Sequence, residues 1–220
     1  MFFLLHFLRK EDLFIDIGAN IGSYTILASS HVEANTISIE PVPSTFAHFI
    51  DNIKINNIND RVKTLNIALG SKSGKIRFTQ SLDTMNHVAI ISDKETIEVD
   101  VLTLDEIIGD GRTPALIKID VEGFETEVIN GGLKTLQKNE LKAIIIELNG
   151  CGARYGYAEI DIHNKLTQNG FTPYFYEPLQ RELFKLNSFG EYNTIYIRDI
   201  EFIRMRLKNA DKINIHDMTI

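Results

Sequence analysis

Cysteine is nearly absent: Cys151 is the single one, so no internal disulfide can form. Nothing implies an oxidising compartment, and a cytoplasmic location is expected. Surplus positive charge is missing too. The chain has 23 Lys and Arg against 30 Asp and Glu, a net charge of −7. That balance argues against a phosphate-contacting face for nucleic acid and against adhesion to an anionic membrane. Long apolar runs are lacking. Met1 to Leu8 is apolar for only eight residues before Arg9, Lys10, Glu11 and Asp12, whereas a membrane span needs about 20. A basic leader and a cleavage site are also missing. Stable membrane insertion is not expected, and this stretch is read as an opening helix packed on a sheet or as an exposed remnant of a longer chain. Without interior linkers or repeats, residues 1–220 read as one domain. Its core spans about 12–198, with an insertion at 70–113 and a C-terminal helix and tail at 199–220.

What is present is concentrated at Phe14-Ile15-Asp16-Ile17-Gly18-Ala19-Asn20-Ile21-Gly22. An apolar strand ends in an acid, turns through glycines and meets Ser23 to Ala28, which can start a helix. This is the first half of a nucleotide-binding α/β unit. Gly18 and Gly22 are expected to leave bare backbone for a ligand, and the helix start offers free N–H groups. A dinucleotide fingerprint has a second glycine two positions after the first; here that position is Asn20. Asp16 beside the turn disfavours a diphosphate and suits a sulfonium or ammonium group. S-adenosylmethionine carries both, with a ribose. Thr36 to Glu40 is a second strand ending in an acid 18 positions past Gly22, where a carboxylate can accept ribose hydroxyls.

Strands and helices then alternate. Phe46, Phe49, Ile50 and Ile53 mark one face of a helix after Ser44, and Val62 to Leu69 reads as strand three. Residues 75–79 and 96–101 alternate polar and apolar, as strands with one wet face do. They frame an antiparallel insertion, with a polar, irregular stretch over 81–93 and a short helix near Thr103 to Ile108. Ala115 to Asp120 and Lys142 to Leu148 are buried strands that reach Asp120 and Glu147. Between them Phe124 to Leu136 is expected as one helix, with Phe124, Val128 or Ile129, Leu133 and Leu136 inward. A helix over Ile160 to Gln168, an antiparallel strand pair at Phe171–Tyr176 and Asn193–Arg198, and a helix from Ile200 complete the chain. The expected form is a mostly parallel sheet with helices on both faces. Asp16, Glu40, Asp120 and Glu147 then share the rim where such sheets bind ligands. Four acids on one rim repel unless cations, donors or shifted pKa values relieve them.

These residues resemble the FkbM-type methyltransferases. The resemblance rests on Asp16 to Gly22, Glu40-Pro41, Asn66 to Gly70, Asp100 to Asp105, Ile117 to Glu125 and Ile146-Glu147, in that order, over about residues 12–150. It implies a Rossmann-like class I methyltransferase sheet of seven strands, S-adenosyl-L-methionine as cofactor, and hydroxyl acceptors on sugars or secondary metabolites. It implies cofactor contacts from Asp16, Gly18, Asn20 and Gly22 to the methionine part, from Glu40 to the ribose and from Ala68 near the adenine. Asp120 would face the methionyl amine or the acceptor. The family usually has a longer segment before the first strand than the dozen or so residues here.

A hydroxyl is a poor nucleophile, so a base should assist. Asp120 is the first candidate and Glu122 the second, both just after strand four; Glu147 and His87 are further ones. His87 lies in the irregular insertion, and histidine is a residue type suited to act as a base. Glu125 is read as serving its helix dipole, and Lys118 as pairing with an acid. No second ligand set accompanies the acids, so no metal is expected. Phe78, Met85, Tyr155, Tyr157 and Tyr176 are candidates for an aromatic sugar platform. The competing functions are a nicotinamide-dependent oxidoreductase, disfavoured by Asn20, and an inactive methyltransferase-like binding module, disfavoured by the intact acids.

Overall fold

The opening apolar stretch folds as α1 (Phe2–Phe7), with Phe3, Leu4 and Phe7 buried; of the two expectations for it, the packed helix is the one observed. The structure, a computed structural model, describes residues 1–220 except 81–85, 191–192, 216–217 and 220. After α1 come β1 (Leu13–Ile17), α2 (Ser23–Ile26) continued by a π turn (Leu27–His31), β2 (Asn35–Ile39), α3 (Pro43–Ile55) and β3 (Val62–Leu65). Next are β4 (Ala68–Leu69), β5 (Gly74–Thr79), β6 (Thr96–Leu102), α4 (Leu104–Ile108) and β7 (Leu116–Ile119). The chain continues through α5 (Glu125–Asn130), α6 (Leu133–Gln137), β8 (Ala143–Glu147), α7 (Glu159–Gln168), β9 (Thr172–Glu177), β10 (Glu182–Lys185), β11 (Asn193–Ile197) and α8 (Ile200–Lys208). Among the described residues no helix is long and apolar enough to cross a membrane.

Every residue of β1 is buried, as befits a central parallel strand covered on both faces. The main sheet runs β10-β9-β11-β8-β7-β1-β2-β3. From β3 to β8 neighbours are parallel, while β11, β9 and β10 pair antiparallel. Among the described residues the sheet has eight strands rather than seven. The extra one is β10, whose short alternating Glu182-Leu183-Phe184-Lys185 folds back on β9 as an edge hairpin.

Side-chain alternation splits β1 between two cores. Ile15 and Ile17 join Ile117, Ile119, Ile144 and Ile146 beside α4 to α7. Phe14 joins Leu4, Phe7, Leu116 and Ile203 beside α1 and α8. Asp16 shares the Phe14 face, opposite Ser38 on one side and Lys118 on the other.

Two elements depart from the sequence reading. Strand three breaks after Leu65, and β4 leaves the main sheet to pair with β6, forming a small sheet with β5. At the break Asn66 Nδ2 donates to the carbonyls of Glu40 (2.9 Å) and Pro41 (3.0 Å), a side chain standing in for ladder bonds. The single helix expected over 124–136 is two, α5 and α6, parted at Gly131-Gly132. A Cβ on Gly131 would strike the Gly70 carbonyl, so the chain is pressed against its neighbour there. Asp105 caps the second piece by accepting from the Lys134 (3.0 Å) and Thr135 (2.8 Å) N–H groups. The break turns Leu133 outward, 42% exposed instead of inward. The short helix near residue 103 is α4, closed by a capping box between Thr103 and Glu106.

Candidate active site

The glycine turn lies between the ends of β1, β2 and β7. Gly18 and Ala19 donate N–H bonds to the Ile39 carbonyl at 3.0 and 2.9 Å. Gly18, Asn20 and Gly22 are all left-handed, with φ of 73°, 52° and 92°. Their purpose differs from the expected one. A Cβ on Gly18 would collide with the Asp120 carbonyl, and one on Gly22 would lie 2.5 Å from the Phe49 ring. The space the glycines leave is filled by the protein itself. Glycine lets the turn press against β7 and α3, and the cavity-facing wall is built from Gly18, Ala19, Asn20 and Ile21. Gly22 is the N-cap of α2, under Phe49.

That wall bounds a cavity of about 360 Å³ whose other sides include Tyr24, Glu40, Phe78, Asp120, Glu122 and Glu147. Each acid of the rim is accommodated differently. Glu40 Oε2 accepts the Asn20 N–H (3.0 Å) and Oε1 the Val42 N–H (3.0 Å), which fixes the carboxylate against the wall. Burial raises its pKa, and those two donors oppose the rise. Asp16 lies beneath the turn. Its Oδ2 accepts from the Thr25 N–H (3.1 Å) and hydroxyl (2.7 Å), and that hydroxyl also meets Ser38 Oγ at 2.7 Å. Its Oδ1 has no hydrogen-bond partner, and the Lys118 ammonium stands 3.8 Å away. Burial raises the Asp16 pKa against the pull of Lys118.

Lys118 is the hub. Its Nζ donates to the Gly18 carbonyl (3.2 Å), pairs with Asp120 (3.1 Å) and lies 5.1 Å from the Tyr24 ring centre. Burial works against its charge, but Asp16 and Asp120 outweigh it and raise its pKa. Asp120, Glu122 and Glu147 offer carboxylate oxygens all within 4.8 Å of one another. Burial and the nearby Asp120 raise Glu122. Burial, Asp120 and Glu122 push Glu147 up to about 7. The loop that carries Asp120 and Glu122 is strained, with Glu122 left-handed at φ 54° and Gly123 at 103°. Glu125 holds it by folding back, its Oε1 accepting from Val121 and Gly123 N–H groups at 3.2 Å each. It is a loop clamp as well as a first-turn acid of α5.

The remaining expected residues lie further out. Ala68 is buried in β4 and borders a crevice of about 20 Å³ behind Pro41 and Phe78. His87 is buried with Nε2 3.4 Å from Asp93, and its neighbour Asn86 contributes to the cavity wall. Of the aromatic set, Phe78 lines the cavity. Tyr155 packs edge-on against Phe124 and donates to the Val88 carbonyl (2.7 Å), and Tyr157 donates to Glu127 (2.9 Å). Tyr176 lies in the other core, 2.5 Å from His6 Nδ1. Met85 falls outside the described residues. Sequence reasoning missed Thr25, Ser38 and Tyr24. The signal for the first was its place at the start of α2, where N–H groups are free for Asp16.

The Methyltransferase FkbM domain family matches residues 16–173. The chain is 30% identical over 148 residues to the hexuronic acid methyltransferase AglP of Haloferax volcanii, covering 66% of this chain and 59% of that relative's length. Among solved structures it is similar to a precorrin-6y C5,15-methyltransferase of Geobacter metallireducens, with a TM-score of 0.52, 15% identity and coverage of 90% and 86%. It is also similar to Sp1610 of Streptococcus pneumoniae in complex with S-adenosyl-L-methionine, with a TM-score of 0.51, 12% identity and coverage of 88% and 68%. Such identities speak for the fold, which is the Rossmann-like methyltransferase fold. The family match takes in the glycine turn, Glu40 and the β7 and β8 acids together, and on that ground the chain belongs to the FkbM methyltransferase family.

Proposed function

We propose that the chain transfers a methyl group from S-adenosyl-L-methionine to a hydroxyl of a small-molecule or glycan acceptor. One observation carries the cofactor reading: Glu40 is fixed at the cavity wall by one N–H on each oxygen, from Val42 and Asn20. A carboxylate so held keeps outward lone pairs for a ribose diol. The donor set fits the rest of the cofactor. Acids around the cavity suit a positive sulfur and an ammonium, and the Gly18–Ile21 backbone gives a close wall. Ala68, which borders a crevice with Pro41, is the residue we assign to the adenine side. When bound, the cofactor supplies an electrophilic methyl on a positive sulfur that keeps the bonding pair on transfer.

The chain's own groups then have distinct tasks. Asp120, anchored by Lys118, receives the ammonium or orients the acceptor. Glu122 stands next to it on the acceptor side, and positioning of this kind is worth ~7–11 kcal/mol in bimolecular reactions. The Asp93 contact favours a part for His87 in holding the insertion. A net charge of −7 and an acid-lined cavity favour a neutral acceptor over nucleic acid. A cytoplasmic setting suits the lone Cys151 thiol.

Calorimetry with S-adenosylhomocysteine on the wild type and on Glu40→Ala tests the cofactor reading, with NADH as the competing ligand. The wild type is expected to bind S-adenosylhomocysteine and not NADH. Glu40→Ala is expected to lose at least about tenfold in affinity, ~1.4 kcal/mol. Folded wild-type protein that binds no S-adenosylhomocysteine would overturn the reading.

A further inference from the structure

Lys118 decides how the acids at the acceptor side divide their charge. Its ammonium lies 3.1 Å from Asp120 Oδ2 and pairs with that carboxylate. Glu147, at the end of β8, lines the same cavity, and one of its carboxylate oxygens lies within 4.8 Å of one from Asp120. Two carboxylates this close repel each other unless one of them keeps a proton. The proton belongs on the member without the lysine, which is Glu147. The charged and titratable groups that act on Glu147 come from every side of the cavity floor. They are Asp120 and Lys118 from the β7 side, Glu122 from the following loop, Tyr24 from α2 and Cys151 after β8. Arg154 reaches this loop, with Nη1 3.5 Å from the Glu122 carbonyl.

We propose that Glu147 is a charge-gated proton site: it holds the proton shared with Asp120 until the cofactor's positive charge enters the cavity, then releases it and stands as the carboxylate that takes the acceptor's hydroxyl proton. This rests on the cofactor reading above. The bookkeeping closes. Before transfer the cavity holds a positive sulfur and a Glu147 carboxylate. As the oxygen–methyl bond forms and the sulfur–methyl bond breaks, the hydroxyl proton passes to Glu147, and both charges vanish together. The product state is again the shared-proton pair. With titration at about 7, the site is poised where a general base is most effective at neutral pH.

Calorimetry at pH 7 in two buffers of different ionisation enthalpy, with a chelator present, counts the protons released on binding. The probes are S-adenosylmethionine and S-adenosylhomocysteine, which differ in the sulfur's charge. Wild type is expected to release about half a proton more with S-adenosylmethionine. Its affinity ratio for the two ligands should rise with pH through the neutral range. Glu147→Gln is expected to bind both ligands, with the difference in proton release gone and the ratio flat. Equal release by the two ligands in wild type, or a difference that persists in Glu147→Gln, would overturn the proposal. Absence of binding by folded wild type would instead strike the cofactor reading, and this proposal with it.

Discussion

Gly18 lies so close under Asp120 that a Cβ on it would collide with the Asp120 carbonyl. The contact joins the turn after β1 to the loop after β7, and with it the cavity wall at Gly18–Ile21 to Asp120 and Glu122. Gly18→Ala is expected to damage stability and ligand binding together. A non-glycine residue in a left-handed conformation costs about 1–3 kcal/mol, and the collision adds to this. Gly150→Ala is the control. Gly150 is also left-handed, at φ 86°, but has nothing within 4 Å of its would-be Cβ. Urea unfolding of both variants separates strain from collision; equal losses would mean that the corner yields.

Lys118 is the cation for the buried Asp16, which sits 3.8 Å away with one oxygen otherwise unpartnered. Lys118→Met leaves that carboxylate without a counter-charge, and breaking a buried pair in this way costs roughly 3–5 kcal/mol. Asp16→Asn added to Lys118→Met is expected to recover part of the loss, because the amide oxygen still accepts from Thr25 and no charge remains buried. Chemical unfolding of the two single variants and the double variant checks this. A double variant no more stable than Lys118→Met would remove Asp16 as the reason Lys118 is there.

Glu40, Asp120 and Glu147 were legible because each ends an apolar run, and strand ends of one direction gather on one side of a sheet; Asp16, expected on the same rim, instead lies inside β1, buried beneath the turn and off the cavity wall. Asn20 and Asp16 set the turn apart from the dinucleotide fingerprint in sequence. The glycines were legible by spacing, but their reason was not. That the Phe49 ring and the Asp120 carbonyl fill the space beside them is a tertiary fact. So is the row Ser38, Asp16, Lys118, which depends on strand register between residues far apart in sequence. The split of strand three depends on Asn66 reaching the Glu40 and Pro41 carbonyls, which no local pattern announces. The break at Gly131-Gly132 was readable in principle, since two glycines weaken a helix interior, but an otherwise regular apolar spacing concealed it.

Glu125 carries a pH-dependent cost. Burial, opposed by its N–H donors, pushes its carboxyl from 4.5 up to about 7 in the folded chain. Between those values the folded protein binds the proton more tightly than the unfolded chain. Its contribution to stability is therefore full below pH 4.5 and falls as pH rises to about 7, by on the order of 3 kcal/mol. Glu125→Gln keeps an oxygen for Val121 and Gly123 and lacks the titration. It is expected to gain stability over wild type at pH 8 relative to pH 5, measured by urea unfolding at both values. A constant difference between the two proteins would show that Glu125 does not titrate in this range.

His6 acts with the opposite sign. It is fully buried in α1 with Nδ1 2.5 Å from the Tyr176 hydroxyl and Nε2 without a partner. Burial, helped by Arg181 and Arg9, lowers its pKa from 6.5 to about 4. The folded protein keeps the ring neutral while the unfolded chain protonates it, so stability is lost as pH falls from 6.5 towards 4. The loss releases the core shared by α1, α8 and β9, on the sheet face away from Ile15 and Ile17. His6→Gln retains a partner for Tyr176 and has no charge to gain. Melting temperatures of wild type and His6→Gln across pH 4–7 should converge towards the acid end, with the wild type falling more steeply. Parallel curves would mean that the acid sensitivity of this core arises elsewhere.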